Sequence, residues 1–256
     1  QMDGVGGATS STSKVVIVSK SARPDCDVDY LFGAVAIDAP LIDYSGSCGN
    51  LVAAVGPFAI EEGLVAAHEG VTTVRIWQAN TGKRIDAHVP VRDGAPVIEG
   101  DCRMDGVPFA GAEIRIDFLD PGGAHGGALL PTGRLVDALD VPGVGRIEAT
   151  LLDAGNPTVF VRAADVGLTA TELAPAVDGD AALLARLEAI RAHAAVAMRL
   201  APDATSATRD RPATPKIAFV AAPASYVSSA GERVDAASID LCARIVSMGR
   251  LHHAFT

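Results

Sequence analysis

Aromatic side chains are scarce in this chain: they make up 4% of 256 residues, with a single Trp. A core built without them has to rest on small aliphatic residues, which suits close packing of strands around a helix. Basic residues are also short, 21 against 31 acidic, for a net charge of −10. A protein that neutralises a phosphate backbone needs a basic face, so nucleic acid is not an expected partner. Only four cysteines occur, at 26, 48, 102 and 242, with no C-x-x-C pair and no Cys/His spacing typical of zinc. So few and so scattered, they read as the reduced thiols of a cytoplasmic protein. No uncharged apolar run is long enough for a membrane-spanning helix, no membrane partner is expected, and no signal peptide is visible.

Several chemistries lack their anchor as well. Gly4-Val5-Gly6-Gly7 precedes a strand instead of following one, so it is not a dinucleotide fingerprint, and the segment ending in Lys14 lacks P-loop spacing. No Gly-x-Ser-x-Gly elbow offers a hydrolytic serine. His252 and His253 are adjacent and point apart in regular structure, and His125 lies in a glycine loop, so no metal is expected. Gln1 is not an initiator Met and 251–256 end without a closing signal, so residues missing from both ends are expected.

What the chain does contain is 49% apolar residues and a mean hydropathy of +0.28, which excludes global disorder and allows a sizeable core. The spacing predicts strands at 15–19, 30–37, 72–78, 84–91 and 112–118, with Asn80-Thr81-Gly82 as a hairpin turn. Between them, 48–64 is a helical candidate apolar on nearly every side, which predicts a buried helix wrapped by strands. Pro57 inside it predicts a kink or a break into two pieces. Residues 120–145 read as loop and as the domain boundary, giving domains at 1–140 and 141–256. In the second half, 146–153, 158–162 and 216–221 read as strands. Asp180 is expected to cap a helix whose stripe is Leu183, Leu187, Ile190, Ala194 and Met198. A last helix is expected over 237–248, and 202–215 as an exposed polar loop.

The residues with chemical promise are Ser45-Gly46-Ser47-Cys48-Gly49-Asn50 and, upstream, Ser10-Ser11-Thr12-Ser13-Lys14. A cysteine beside an apolar helix is more commonly an inert buried thiol. Here Gly49 leaves an unhindered N–H at a helix start, where the dipole favours thiolate and carboxylate alike. Lys14, taken alone, is more commonly a surface lysine at a strand end. As a base it must be in the neutral form, which burial or a nearby cation favours. With a net negative chain, an anionic substrate has to be held by local donors such as helix-start amides.

These segments, with Asp29-Tyr30-Leu31-Phe32-Gly33, Leu130-Pro131-Thr132-Gly133, Asp153-Ala154-Gly155-Asn156-Pro157 and the Ser247-Met248-Gly249 to His252-His253 stretch, run in order along essentially the whole chain. Together they resemble the PrpF-type isomerases, a branch of the superfamily of cofactor-independent diaminopimelate epimerases. The resemblance implies an α/β (α+β) fold of two similar domains. Each would be a curved sheet around a central helix, with the active site in the cleft between them. It implies, without any cofactor, a proton shift along an allylic tricarboxylate, most typically 2-methylaconitate in propionate breakdown through the 2-methylcitrate route. Lys14 would then be the base that removes the allylic proton, and Cys48 would donate a proton or fix the carboxylate. Ser11, Thr12 and Ser13 would form the hydroxyl-rich loop and Ser47, Gly49 and Asn50 the anion-binding turn, with Asn156 contributed by the second domain. A homodimer is left open.

One departure is visible. Diaminopimelate epimerases carry a second cysteine in a mirror motif, and here the corresponding region begins near His252 and stops at Thr256, so a two-cysteine racemase is not supported. Within the family the nearest alternative is a 4-oxalomesaconate tautomerase of aromatic-acid catabolism. From another class, the alternative is a catalytically silent tricarboxylate-binding protein. Ser-Gly-Ser-Cys-Gly-Asn and Val-Pro-Gly-Val-Gly look more like the aconitate branch.

Overall fold

Period-two alternation of β-branched residues dominates the chain, and the strands it encodes are arranged in two mixed sheets and one separate two-stranded pair. The computed structural model describes residues 13–36, 40–104, 107, 109–124 and 127–252. They divide into two compact units, each discontinuous in sequence: 15–33 with 47–121, and 34–46 with 122–255, to which 1–14 also belong.

In the smaller unit the chain runs β1 (Lys14–Lys20), β2 (Val28–Val35), then, after β3 (Ile42–Asp43), α1 (Gly49–Glu61), β4 (Gly70–Gln78), β5 (Lys83–Arg92), β6 (Ala95–Pro96) and β7 (Arg115–Phe118). The sheet order is β1-β2-β4-β5-β6, with β7 also paired to β5. β2 and β4 are parallel, while β4 and β5 form the hairpin that the alternation predicts, from Gly70↔Val91 to Gln78↔Lys83. Its turn is tied by the Gln78 side chain, whose Oε1 accepts from the Thr81 N–H at 2.7 Å. β3 meets the far end of β2, Ala34 opposite Asp43, and that pairing lies in the larger unit.

α1 is continuous through Pro57, so the expected break does not occur. Nor is the helix buried all round. Val52, Val55, Gly56, Ala59 and Ile60 form its buried stripe, while Ala54 and Phe58 on the opposite side are exposed. An i, i+3, i+4, i+7, i+8 stripe is enough to seat a helix on one sheet. Gly56 sets how closely it sits: a Cβ there would lie 2.7 Å from Val89 Cγ2 and 3.1 Å from Ala87 Cβ. Gly56→Val should therefore cost about 1–3 kcal/mol through overpacking. Ala54→Val, on the solvent side, should stay within about 0.5 kcal/mol of wild type. Equal urea midpoints for the two variants would refute this packing argument.

The larger unit continues with β8 (Asp137–Val141), β9 (Gly145–Ala154), β10 (Asn156–Arg162), α2 (Ala174–Asp178), α3 (Ala181–Ala197), α4 (Ala204–Asp210), β11 (Lys216–Ala221), β12 (Tyr226–Val227), β13 (Arg233–Val234), β14 (Cys242–Ser247) and β15 (Arg250–Leu251). Its six-stranded sheet has the order β15-β14-β11-β10-β9-β8, with β10 and β11 parallel. Asp180 caps α3 as expected, accepting from the Leu183 N–H at 2.9 Å. Leu183, Leu187, Ile190, Ala194 and Met198 all join one core with Leu151, Val159, Val161, Ile217 and Phe219 of the sheet.

Three expectations fail here. Residues 237–248 do not form a helix: Cys242–Ser247 is β14, paired antiparallel with β11, and Met248 (φ 54°) with Gly249 (φ 69°) makes a two-residue turn into β15. Ile245 and Val246 are β-branched and buried on opposite faces of the sheet, which outweighs the helical spacing. The 120–145 stretch contains β8, whose Asp137, buried at 2% exposure, accepts from Thr132 Oγ1 at 2.7 Å and pairs with Arg134. Residues 202–215 are not an exposed loop, since 204–210 are α4 and Ala213, Thr214 and Pro215 are buried.

Candidate active site

The apolar run that begins at Leu51 starts a helix, and the residue before its first turn is Cys48. Its backbone is extended (φ −125°, ψ 109°), it occupies the N-cap of α1, and no side chain bonds to cap the helix. No acidic residue lies in the first turn. The partial positive charge of the helix start is thus not offset locally by a carboxylate, a setting that favours an anion. Cys48 is buried at 8% exposure, and its carbonyl accepts from the Tyr30 hydroxyl at 3.2 Å. Tyr30 is fully buried, and desolvation pushes its hydroxyl far above its ordinary value, so it stays protonated and donates at any physiological pH. A Cβ on Gly49 would make only ordinary contact, 3.6 Å from Phe118 Cζ. Ser47, Cys48, Gly49 and Asn50 thus form one turn in the smaller unit, as their adjacency dictates.

Ser13, Lys14 and Asn156 belong to the larger unit. Ser11 and Thr12 lie outside the described residues, as do His125 and His253. Lys14 opens β1 and is half-buried, and the Ser13 carbonyl accepts from the Val35 N–H at 3.0 Å, at the end of β2 that pairs with β3. From β3 the chain passes through Asp43-Tyr44-Ser45-Gly46 into Ser47. Asp43 is buried at 3% exposure; its Oδ1 accepts from the Ser45 N–H at 2.7 Å and its Oδ2 from the Ala213 N–H at 2.8 Å. Ser45 Oγ and Thr214 Oγ1 are 2.6 Å apart. A Cβ on Gly46 would lie 3.3 Å from Thr214 Cγ2 and 3.6 Å from Asn156 Oδ1, so the segment runs close against both residues. Asn156, half-buried, opens β10.

The larger unit therefore gathers Ser13, Asp43, Ser45, Asn156 and Thr214 around the segment leading into Cys48. Asp43, Thr214 and Arg211 were not foreseen among the candidates. For Thr214 the signal was the Arg/Thr-rich run ending in Pro215: most of its polar residues are exposed, but Thr214 is buried and meets Ser45, far away in sequence. Of the other thiols, Cys26 and Cys242 are buried and Cys102 half-buried; burial and the nearby Asp25 push the Cys26 thiol up. Among the described residues no group of three His, Cys, Asp or Glu side chains could hold a metal ion, and no helix is long and apolar enough to cross a membrane.

The family model for PrpF protein matches residues 1–256, the entire chain. The chain belongs to the PrpF family. A relative in that family, the 2-methyl-aconitate isomerase of Shewanella oneidensis, is 55% identical over 261 residues, covering 99% of this chain and 66% of the relative. Among solved structures, that of a methylitaconate-delta-isomerase is 43% identical, with a TM-score of 0.78 over 100% of this chain and 66% of that one. A probable proline racemase from Agrobacterium radiobacter K84, at 16% identity and a TM-score of 0.51 over 94% of this chain and 56% of that one, shares the fold alone. The epimerase-like fold implied by the motifs is the one found. This PrpF chain spans 66% of the length of the Shewanella relative, just under two thirds.

Proposed function

We propose that this PrpF-family chain is a cofactor-independent isomerase that shifts a proton along 2-methylaconitate or a closely related aconitate. The observation that carries the reading is the Cys48 turn: a buried thiol followed by a half-buried glycine at the start of a helix with no acidic side chain in its first turn. The 55% identity with a protein named for 2-methylaconitate supports that choice of substrate.

The chemistry follows from the substrate. The proton to be removed sits on a carbon allylic to a double bond that bears carboxylates. Lys14, as base, takes that proton onto Nζ, and the electron pair spreads over the conjugated carboxylate. The former double bond then has partial single-bond character and can rotate. Return of the proton gives the other geometric isomer, so no electrons enter or leave. Negative charge develops on the carboxylate in the transition state, where preorganised N–H and hydroxyl donors stabilise it most. The α1 amides after Cys48 are such donors, and Ser13, Ser47, Asn50 and Asn156 supply polar side chains. A placed base and acid add roughly 10²–10⁴-fold.

The test is incubation in D₂O with 2-methyl-cis-aconitate, its trans isomer, aconitate and 4-oxalomesaconate, followed by NMR. The expected result is isomerisation of the 2-methylaconitates with deuterium entering the allylic position. Exchange into 4-oxalomesaconate alone would move the assignment to the tautomerase, and exchange into none of the four would leave only a binding protein.

A further inference from the structure

Beneath the Cys48 turn lies a hydroxyl that the proton shift does not use. Tyr30 is 0% exposed and sits in β2, in the same compact unit as Cys48. A phenylalanine would fill the core as well, and a buried hydroxyl is costly unless it is bonded. The bond Tyr30 makes is to the carbonyl of Cys48, at 3.2 Å. As the N-cap of α1, Cys48 gives its carbonyl to the first intrahelical bond, so Tyr30 fills the remaining lone pair. The strand behind the ring is itself fixed. The Tyr30 carbonyl accepts from the Ala79 N–H at 2.9 Å. Further along β2, the Asn80 side chain accepts from the Phe32 N–H at 2.9 Å and donates to the Phe32 carbonyl at 2.8 Å. Gln78 Nε2 donates to the same Asn80 oxygen at 2.7 Å. Tyr30 thus has a rigid base from which to aim its hydroxyl, and burial keeps that hydroxyl protonated.

We propose that Tyr30 is a positioning residue: by holding the Cys48 carbonyl it aims the Gly49 N–H at the substrate carboxylate on which charge develops. The two groups belong to one trans peptide, which is planar and directs its carbonyl and its N–H oppositely. A bond that fixes the first therefore fixes the direction of the second. Gly49 opens α1, and its N–H has no partner within the helix. Gly49 is half-buried and Asn50 exposed, so an anion can reach this end of the helix. A hydrogen bond at a peptide oxygen also polarises the peptide, which makes its N–H a stronger donor. Tyr30 itself touches no substrate, and its effect passes entirely through the peptide it holds. The role in turnover rests on the isomerase reading, whereas the aiming of the Gly49 N–H at an anion does not.

The test sets Tyr30→Phe, which keeps the ring and removes the oxygen, beside Ile76→Val, which trims a fully buried residue of β4 in the same unit. Kinetics are measured with 2-methyl-cis-aconitate. The Gly49 amide is followed by NMR in isotope-labelled protein during titration with propane-1,2,3-tricarboxylate, which has three carboxylates but no double bond to isomerise. In wild type the Gly49 amide proton should move downfield as the tricarboxylate binds. In Tyr30→Phe it should start upfield of wild type and respond less. There kcat should fall about 10-fold with KM little changed, because a donor to the transition state has lost its support. Tyr30→Phe should melt within a few degrees of Ile76→Val, since the Cys48 carbonyl keeps its intrahelical bond. Ile76→Val should keep wild-type kcat and the wild-type Gly49 resonance. A Gly49 amide in wild type that ignores the bound tricarboxylate would overturn the proposal, whether or not Tyr30→Phe folds. So would wild-type kcat in Tyr30→Phe, or losses that Ile76→Val reproduces, since Tyr30 would then be a core residue only. If Gly49 responds as expected but wild type turns over none of the four acids, the isomerase reading fails and the aiming of the N–H stands. If the acids are turned over and Gly49 stays silent, the reverse holds.

Discussion

Lys14→Ala should lower the rate of isomerisation by about 10²–10⁴-fold, the range spanned by positioned general bases. The same variant should end deuterium uptake from D₂O into the allylic position, since both report one proton transfer. Binding of propane-1,2,3-tricarboxylate should survive, because the donors at the α1 start are untouched. That division separates a base from a binding residue: the loss falls on kcat, with KM little changed. Lys14→Arg sharpens the test. It keeps a cation at the head of β1 but offers no group able to accept the proton, so it should be as inactive as Lys14→Ala. A Lys14→Arg enzyme that retains most of its activity would show that Lys14 acts by charge alone. Wild-type kcat in Lys14→Ala would remove it from the chemistry altogether.

The parts of this fold that can be read from sequence are those whose partners are near in the chain. The β4–β5 hairpin follows from alternation plus a three-residue turn, and α3 from a five-residue stripe with an Asp cap at 180. The Cys48 turn is equally local, a small-residue run at the head of an apolar segment. What escapes is decided at long range. Cys242–Ser247 has an apolar run compatible with helix or strand, and it becomes a strand because β11 offers it an edge. The 211–215 strap looks like solvent-exposed polar chain until Asp43, 170 positions before Ala213, and Arg191 in α3 bury it. The same distance hides Thr214, whose hydroxyl meets that of Ser45 across 169 positions.

Arg191 makes the complementary case, and Arg191→Leu should destabilise the protein by about 3–5 kcal/mol, the usual cost of removing one partner of a buried pair. Its side chain is 4% exposed. Nε and one terminal nitrogen form a fork with Glu188, three residues earlier in α3, at 2.6 and 2.7 Å. The terminal nitrogens also donate to the carbonyls of Ala207 at 3.0 Å and of Arg211 and Thr214 at 3.1 Å each. One guanidinium therefore ties α3 to α4 and to the whole strap. Leucine would fill much of the space yet leave Glu188 without its counter-charge and three carbonyls short of a donor. The Ala207 and Arg211 carbonyls keep a backbone donor each, from the Arg211 and Thr214 N–H groups, so the loss centres on Thr214 and Glu188. For a chain of this size the expected fall in Tm is about 10 °C. Arg191→Lys should recover little, because an ammonium cannot reproduce the fork and the carbonyl contacts together. A Tm for Arg191→Leu within a degree or two of wild type would show that the strap is held by Asp43 and Ser45 without it.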